Sequence, residues 1–269
     1  CPSPAANMDG EVATVELTLN DDLYAFIPSS VVFLYENTTS ALVTATLPVA
    51  GPMAGGSLLE VSGVGFRDHG TLLCRFGSSA AVTNATLVSS SLMRCRTPPY
   101  IGPRLLSTVP VGGQHEWARV SLNGQQYLRS EAGFVFFEQP LVRVSALVPQ
   151  GGRIEGGTRV VVLGSMFADH SVHCRFGEEL VAAKLLNGSA LECISPVRGA
   201  AVVEAVEVTL NEDTEAHSLT TDGVEFHFYD ETAVVVTSVF PLGGPALGGT
   251  DVTLRGSGFA DRGGVFCRF

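Results

Sequence analysis

One short pattern occurs three times in this chain, and its spacing limits what the chain can fold into. The pattern is a glycine turn, an apolar strand, a bend that ends in phenylalanine, and a second short strand that opens on cysteine. It occupies residues 56–76, 157–176 and 249–269. The opening cysteines of successive copies are 100 (174 − 74) and 93 (267 − 174) residues apart. Solenoid repeats are only about 20–50 residues long, so each copy is predicted to be a whole domain.

The alignment of the copies also predicts the domain boundaries. Residues 43–138 and 141–230 each hold a complete copy, whereas residues 1–40 hold the second half of a copy and residues 233–269 the first half of another. We therefore expect a piece of a longer protein, truncated at both ends. The connections between copies are short, which predicts a semi-rigid series of domains.

Alternating hydrophobicity predicts the secondary structure within each copy. Apolar residues recur at every second position, as in residues 12–19, which is the pattern of a half-buried strand. No stretch has the period and the capping residues of a helix. Short strands separated by turn residues indicate an all-β chain of antiparallel sandwiches. In the last strand of the aligned copies, the inward positions are predicted to be Val32 and Leu34, Phe134 and Phe136, and Phe226 and Phe228.

Charge and composition exclude several classes of partner. The net charge is −11 and Lys184 is the single lysine, so no basic stripe exists to neutralise the phosphates of a nucleic acid or an anionic membrane. Hydrophobic residues make up 45% of the chain and charged residues 16%, as in packed globular proteins. No apolar run reaches the roughly 20 residues of a membrane span. A membrane is therefore expected as a partner only through an anchor outside this sequence.

Cysteine spacing is the strongest chemical signal in the sequence. Cys74 and Cys95 are 21 residues apart (95 − 74), and Cys174 and Cys193 are 19 apart (193 − 174), which gives one pair for each complete copy. The sequence has no Cys-x-x-Cys motif, the spacing that would favour a metal site. We predict one disulfide in each copy, with free buried thiols as the alternative. Cys1 and Cys267 are predicted to be half-pairs whose partners lie outside the sequence.

Paired cysteines and glycosylation motifs indicate the same compartment. Disulfides persist in oxidising environments, and Asn-x-Ser/Thr motifs occur at Asn37, Asn84 and Asn187. Each motif taken alone also fits an ordinary polar turn. Together with the cysteines, they predict a glycoprotein at an extracellular or cell-surface location.

The sequence contains no convincing catalytic or metal-binding constellation. Asp68, Asp169 and Asp261 follow the same bend in the three copies, so each could act as a general base, but capping of the turn explains the recurrence better. His170 and His173 could share a metal ion, although two imidazoles without further ligands make a weak site. We expect no catalytic residue, no cofactor and no metal.

Trp117 is the single tryptophan, and it shares a strand face with Arg119. An outward-facing tryptophan is typical of a partner contact, which makes these two residues the candidate binding residues. The first complete copy also has a longer loop, between residues 98 and 116. Burial of the tryptophan under that loop is the alternative interpretation.

These patterns resemble the IPT/TIG domain, an immunoglobulin-like fold shared by plexins, scatter-factor-type receptors, fibrocystin and some transcription factors. The motif is Pro-x-x-Gly-x-x-x-Gly-Gly-Thr, then a strand, Gly-x-x-Phe, Cys-x-Phe-Gly and Cys-x-x-Pro. It begins at Pro149, continues through Phe167 and Cys174, and ends at Pro196. Residues 48–98 and 241–269 repeat it, with Ser57 in place of the threonine. The resemblance implies tandem IPT/TIG β-sandwiches of the extracellular, cysteine-bearing type.

The resemblance also implies a range of functions. The extracellular members serve as spacers and as adhesive or ligand-binding modules, and the family has no catalytic residues to carry over. We therefore expect a non-catalytic part of a large cell-surface or secreted protein, with a protein or glycan ligand. Accessory domains of a secreted enzyme are the alternative. An intracellular DNA-binding protein is a further alternative, which the acidic charge disfavours.

Overall fold

The structure is a computed structural model, and it describes residues 3–5, 10–19, 24–36, 38–77, 81–102 and 113–269. The predictions for Cys1 and Asn37 lie outside the described residues, as does most of the longer loop between residues 98 and 116.

The described chain is built almost entirely of β-strands. A leading segment holds β1 (Val12–Thr14) and β2 (Val32–Leu34). The first domain holds β3 (Leu42–Leu47), β4 (Ala50–Pro52), β5 (Leu58–Val64), β6 (Leu73–Phe76), β7 (Val82–Ser89), β8 (Leu92–Arg96), β9 (Gln114–Ser121), β10 (Arg129–Ser130) and β11 (Gly133–Phe137).

The second domain repeats this order of strands. It holds β12 (Arg143–Val148), β13 (Gly151–Arg153), β14 (Arg159–Ser165), β15 (His173–Phe176), β16 (Glu179–Asn187), β17 (Ala190–Ile194), β18 (Val202–Thr209) and β19 (Glu225–Tyr229). A trailing segment holds β20 (Val235–Phe240) and β21 (Thr253–Ser257). Short 3₁₀ turns precede the first domain, the second domain and the trailing segment, at Thr38–Ser40, Gln139–Leu141 and Glu231–Ala233.

Both domains are β-sandwiches with the same topology. The strand order is β10-β3-β5-β8-β7-β6-β9-β11-β4 in the first domain and β12-β14-β17-β16-β15-β18-β19-β13 in the second. Strand β7 pairs with β8 along one part of its length and with β6 along another. Strand β16 bridges β17 and β15 in the same way. This series of strands therefore folds over itself into two layers, as the sequence predicts.

Three phenylalanines form the centre of each core. In the first domain, the ring of Phe76 lies 5.0 Å from that of Phe134 and 5.4 Å from that of Phe136. Phe176, Phe226 and Phe228 are the equivalent residues of the second domain, and all six rings are buried. Burial of such a side chain contributes about 1.5–3 kcal/mol.

The inward positions predicted for the leading segment are wrong. Val32 and Leu34 are exposed, whereas the aligned phenylalanines of both domains are buried. Strands β1 and β2 pair only with each other among the described residues. A strand face is buried only where a second layer covers it, and the described part of the leading segment provides none.

The Gly-x-x-Phe motif has a steric origin that is the same in each copy. A Cβ atom at Gly164 would collide with the carbonyl oxygen of Arg143 and with the ring of Phe167. The backbone of Arg143 on the neighbouring strand thus passes close to Gly164, and the ring of Phe167 folds over this glycine. Equivalent collisions arise at Gly63 and Gly256. The motif therefore builds the bend that presents the following loop to the neighbouring copy.

Candidate binding surface and interdomain joints

The loop that follows this bend contacts the preceding copy in all three cases. The ring of His170 stacks on that of Phe137 in the first domain, with 6.5 Å between ring centroids. The carbonyl oxygen of Arg262 accepts a 2.7 Å hydrogen bond from the backbone N–H of Gln150 in the second domain. His69 lies 2.7 Å from a carboxylate oxygen of Glu36 in the leading segment. The aligned residue pairs at 68–69, 169–170 and 261–262 thus mark a repeated interdomain joint.

A buried asparagine connects the first domain to the second. The side-chain Nδ2 of Asn211 donates a 3.0 Å hydrogen bond to the carbonyl oxygen of Ala50. Its Oδ1 accepts a 2.9 Å hydrogen bond from the hydroxyl of Thr209 in its own domain. Asn211 is only 2% exposed. Because an unsatisfied buried amide is costly, this side chain helps to fix the joint.

Apolar burial supports the same joint. On β11, the alternating residues Phe134 and Phe136 face the core of the first domain, so Val135 and Phe137 point away from it. Val135 and Phe137 are nevertheless 6% and 3% exposed, and they belong to the apolar cluster that forms the core of the second domain. The second domain therefore covers the outer face of β11.

Charged side chains surround this joint. The guanidinium of Arg96 lies 3.2 Å from a carboxylate oxygen of Glu215. The Nδ1 of His217 lies 3.4 Å from the other oxygen of that carboxylate, and its Nε2 lies 3.4 Å from Asp213. Arg96 and Glu215 are about half exposed, and exposed pairs contribute only about 0–1 kcal/mol. Apolar contact and the Asn211 hydrogen bond therefore dominate this joint.

The next joint uses equivalent turns but fewer buried residues. In addition to the bond from Gln150 to Arg262, Arg153 of the second domain lies 3.1 Å from Glu231. The hydrogen bonds that Arg153 donates to the carboxylate of Glu231 are the main reason why the pKa of Arg153 is raised. Asp230 accepts a 2.8 Å hydrogen bond from the backbone N–H of Thr232, which caps the connecting 3₁₀ turn.

Trp117 is exposed on the outer face of the first domain. Its residue exposure is 53%; the alternative interpretation of a tryptophan buried under the longer loop involves residues 103–112, which lie outside the described residues. Its strand neighbours are both glycines. Gly133 is directly opposite on β11, and the backbone N–H of Gly77, just after β6, donates a 2.9 Å hydrogen bond to the Trp117 carbonyl. No side chain projects from either neighbouring position, which leaves the indole uncovered across the sheet.

Two arginines lie beside this tryptophan on the same face. Arg119 follows Trp117 by two residues and is directly opposite Arg75 on β6. Like charges directly opposite one another destabilise a sheet. The guanidinium carbon of Arg75 lies 3.7 Å from the centre of the Tyr127 ring. Among the described residues, neither arginine has a carboxylate partner within 4.0 Å. We call Trp117, Arg119, Arg75 and Tyr127 the tryptophan face.

The equivalent face of the second domain has the opposite character. The strand registers place Ala205 at the position of Trp117 and Glu207 at that of Arg119. Glu225 takes the place of Gly133, and Leu219 that of Tyr127. The second domain therefore has an alanine where the first has the tryptophan, and carboxylates where the first has the unpaired Arg119 and Gly133. Arg75 is matched by Arg175, but since both domains fold in the same way, the fold does not require Trp117, Arg119 or Tyr127.

The cysteines of each domain link strands of its core. Disulfides join Cys74 to Cys95 and Cys174 to Cys193. All four cysteines are buried among the apolar residues described above. Cys267 is exposed and has no disulfide partner in the part of the chain that the structure describes.

Two of the glycosylation motifs lie on exposed strand positions. Asn84 is on β7, opposite Leu73, and so is on the same face of the first domain as the tryptophan face. Asn187 is exposed at the end of β16, where its Oδ1 accepts hydrogen bonds from the N–H and the hydroxyl of Ser189. Both side chains are accessible to a glycosyltransferase in the folded state.

The candidate acid–base and metal residues have local structural roles. Asp68 accepts a 2.8 Å hydrogen bond from the N–H of Gly70. The N–H groups of Gly264 and, secondarily, Gly263 hold the pKa of Asp261 below its ordinary value. His173 contacts the carbonyl oxygen of Ser171 at 2.8 Å. In the described part of the chain, no group of three or more His, Cys, Asp or Glu side chains is arranged to hold a metal ion.

None of the helices among the described residues is long and apolar enough to cross a membrane. The IPT/TIG domain model matches residues 41–127 and 142–228, which together make up more than half of the sequence. The chain belongs to the IPT/TIG domain family. The second matched stretch spans the second sandwich, and the first spans β3 to β9 of the first sandwich and ends before β10 and β11.

Comparison with known proteins found one curated relative and several solved structures. Human fibrocystin-L is 25% identical over 151 residues, which is 55% of this chain and 3% of fibrocystin-L. The full extracellular region of plexin A4 matches 80% of this chain with 14% identity and a TM-score of 0.48, and the match covers 18% of that chain. SGBP-B from a xyloglucan utilization locus of Bacteroides uniformis covers 73% of this chain and 51% of its own, with 15% identity and a TM-score of 0.27. The chain thus spans a small part of the relatives named first.

Proposed function

We propose that this chain is a non-catalytic, extracellular spacer whose domains are held together by repeated joints and whose first domain presents a binding surface. The joint between the first and second domains carries this proposal. A spacer must transmit position along its length, and the burial of Phe137 and Asn211 at the joint restricts independent movement of the two domains.

An extracellular location is supported by two independent features. Each domain has a disulfide in its core, disulfides persist outside the reducing cytosol, and Asn84 and Asn187 are accessible for glycosylation. The chain is similar, over part of its length, to fibrocystin-L and to plexin A4. The ligand is proposed to be a protein or a glycan at the cell surface.

Peptide mapping of protein secreted from eukaryotic cells tests the location. With and without reduction and deglycosylation, we expect links from Cys74 to Cys95 and from Cys174 to Cys193, and glycan on Asn84 or Asn187. Free thiols together with unmodified asparagines in secreted protein would contradict an extracellular role.

A further inference from the structure

We propose that the tryptophan face of the first domain binds a saccharide that carries a carboxylate, with the sugar ring stacked on Trp117 and the carboxylate held by Arg119 and Arg75. This inference rests on the proposed binding role of the first domain and names the chemistry of its ligand.

The first argument is the open surface of the indole. Glycines occupy both strand positions beside Trp117, so its ring has no neighbouring side chain across the sheet. Protein partners are usually anchored by side chains that fill pockets, whereas the apolar face of a sugar ring requires only a flat aromatic surface. The space beside Trp117 is open on the side of β11, because a Cβ atom at Gly133 would meet no other atom within 4 Å.

The second argument is the pair of guanidinium groups. Arg119 and Arg75 are directly opposite each other on neighbouring strands, and neither has a carboxylate partner among the described residues. Carboxylates accept paired hydrogen bonds from a guanidinium. An anion between the two arginines would relieve their mutual repulsion. Arg119 is about 7 Å along the strand from Trp117, so one acidic sugar is long enough to contact both.

The third argument is the comparison with the second domain. There, Ala205, Glu207 and Glu225 occupy the positions of Trp117, Arg119 and Gly133. That face lacks the tryptophan, and its one arginine, Arg175, is opposite the carboxylate of Glu207 rather than a second arginine. The whole chain also has a net charge of −11, so an unpaired cluster of arginines stands out against its surroundings. Arg75 has an equivalent in Arg175 of the second domain, but Trp117 and Arg119 are a property of the first domain alone, and binding explains these two residues where folding does not.

The single tryptophan makes the experiment specific to this face. The protein used is the full chain with Asn84→Gln, because a glycan on Asn84 would lie on the same face and could compete. Trp117 emission is followed while sialyllactose is added up to about 10 mM, with neutral lactose as the matched ligand control. We expect a saturable change with sialyllactose and none with lactose.

Charge-matched variants then identify the residue responsible. Arg119→Gln keeps the fluorescent reporter and is expected to weaken sialyllactose binding about tenfold, since it removes a charge-assisted hydrogen bond. Arg94→Gln removes an equal charge from β8 in the other layer, where Arg94 pairs with Glu60, and is expected to bind as the parent does. Calorimetry of Trp117→Ala is expected to show no binding, while its circular dichroism stays that of the folded parent.

Several results would overturn the proposal. These are no response to sialyllactose, an equal response to lactose, or unchanged binding by Arg119→Gln. Saturation by a poly-glutamate peptide but not by the saccharide would instead assign the face to an acidic protein segment, and concentration-dependent sedimentation would assign it to a second copy of the chain. Each of these leaves the disulfide and glycan mapping unaffected, so failure of this inference is distinguishable from failure of the proposed extracellular role.

Discussion

The side chain of Asn211 donates a hydrogen bond to the carbonyl oxygen of Ala50, which is 161 residues earlier and in the preceding domain. Asn123, the aligned residue of the first domain, instead donates to Gln126 within its own hairpin at 2.6 Å. The same turn residue thus closes a hairpin in one copy and connects two domains in the next. This difference provides a matched test of the joint.

Replacement of Asn211 by alanine is expected to weaken the joint between the two domains. The carbonyl of Ala50 loses its donor, and a buried group left without its partner costs about 1–3 kcal/mol. Hydrogen exchange is expected to become faster at the joint, with the cores unchanged. Asn123→Ala is the control and leaves exchange at this joint as it was; equal acceleration in both variants would show that Asn211 acts only within its hairpin.

Phe136 and Phe137 are neighbours on β11 that face opposite sides of the sheet, so their alanine variants separate core from joint. Phe136→Ala is expected to lower the free energy of unfolding of the first domain by about 3–5 kcal/mol, as followed by Trp117 emission. Phe137→Ala is expected to expose the loop at His170 to hydrogen exchange while the first domain remains folded. If Phe137→Ala unfolds the first domain as readily as Phe136→Ala, the assignment of Phe137 to the joint is wrong.

Removal of one disulfide is expected to destabilise one domain. Cys74 and Cys95 close a loop with a sequence separation of 21, and in the chain-entropy model such a link contributes about 3 kcal/mol. In the double variant Cys74→Ala with Cys95→Ala, the unfolding transition followed by Trp117 emission should therefore occur at a lower urea concentration. The equivalent double variant at Cys174 and Cys193 is the control, and it should leave the Trp117 transition nearly unchanged.

The stability of the first domain is expected to fall at alkaline pH because of Tyr100. Burial raises the pKa of its hydroxyl, and the charge of Glu116 raises it further. A group whose pKa is higher in the folded state than in the unfolded state stabilises the fold fully at any pH below its unfolded pKa, which is about 10 for tyrosine. This stabilisation is lost as the pH rises through the folded pKa. Urea unfolding followed by Trp117 at about pH 8 and about pH 10.5 measures the effect. Tyr100→Phe should reduce the loss of stability between the two pH values. If that variant loses as much stability as the parent, the effect belongs to other titratable groups.

The sandwich could be predicted from the sequence because its determinants are local. The glycine, phenylalanine and cysteine positions recur in register, and alternation placed Phe134 and Phe136 in the core, where the structure has them. Alternation also placed Val32 and Leu34 inward, and this was wrong because a strand pattern cannot show whether a second layer covers it. The alternation of apolar and polar residues therefore identifies the apolar face of a strand but not the element that covers that face.

The joint and the tryptophan face required the structure. Residues 134–137 of β11 are all apolar, whereas β19 alternates between apolar and polar residues. This contrast is the one sequence signal that both faces of β11 are covered. Nothing local could show that Asn211 reaches Ala50, nor that Arg119 is opposite Arg75, because strand register depends on pairing between distant segments.

Small-angle scattering of the full chain tests most directly whether the joint makes this protein a spacer. The unmodified chain is expected to fit the structure with its first and second domains in contact, and the combined Asn211→Ala and Phe137→Ala variant is expected to show a larger radius of gyration with both domains still folded. If the unmodified chain fits only a set of independently moving domains, with the same radius as the variant, the joint does not hold in solution and the spacer function is contradicted.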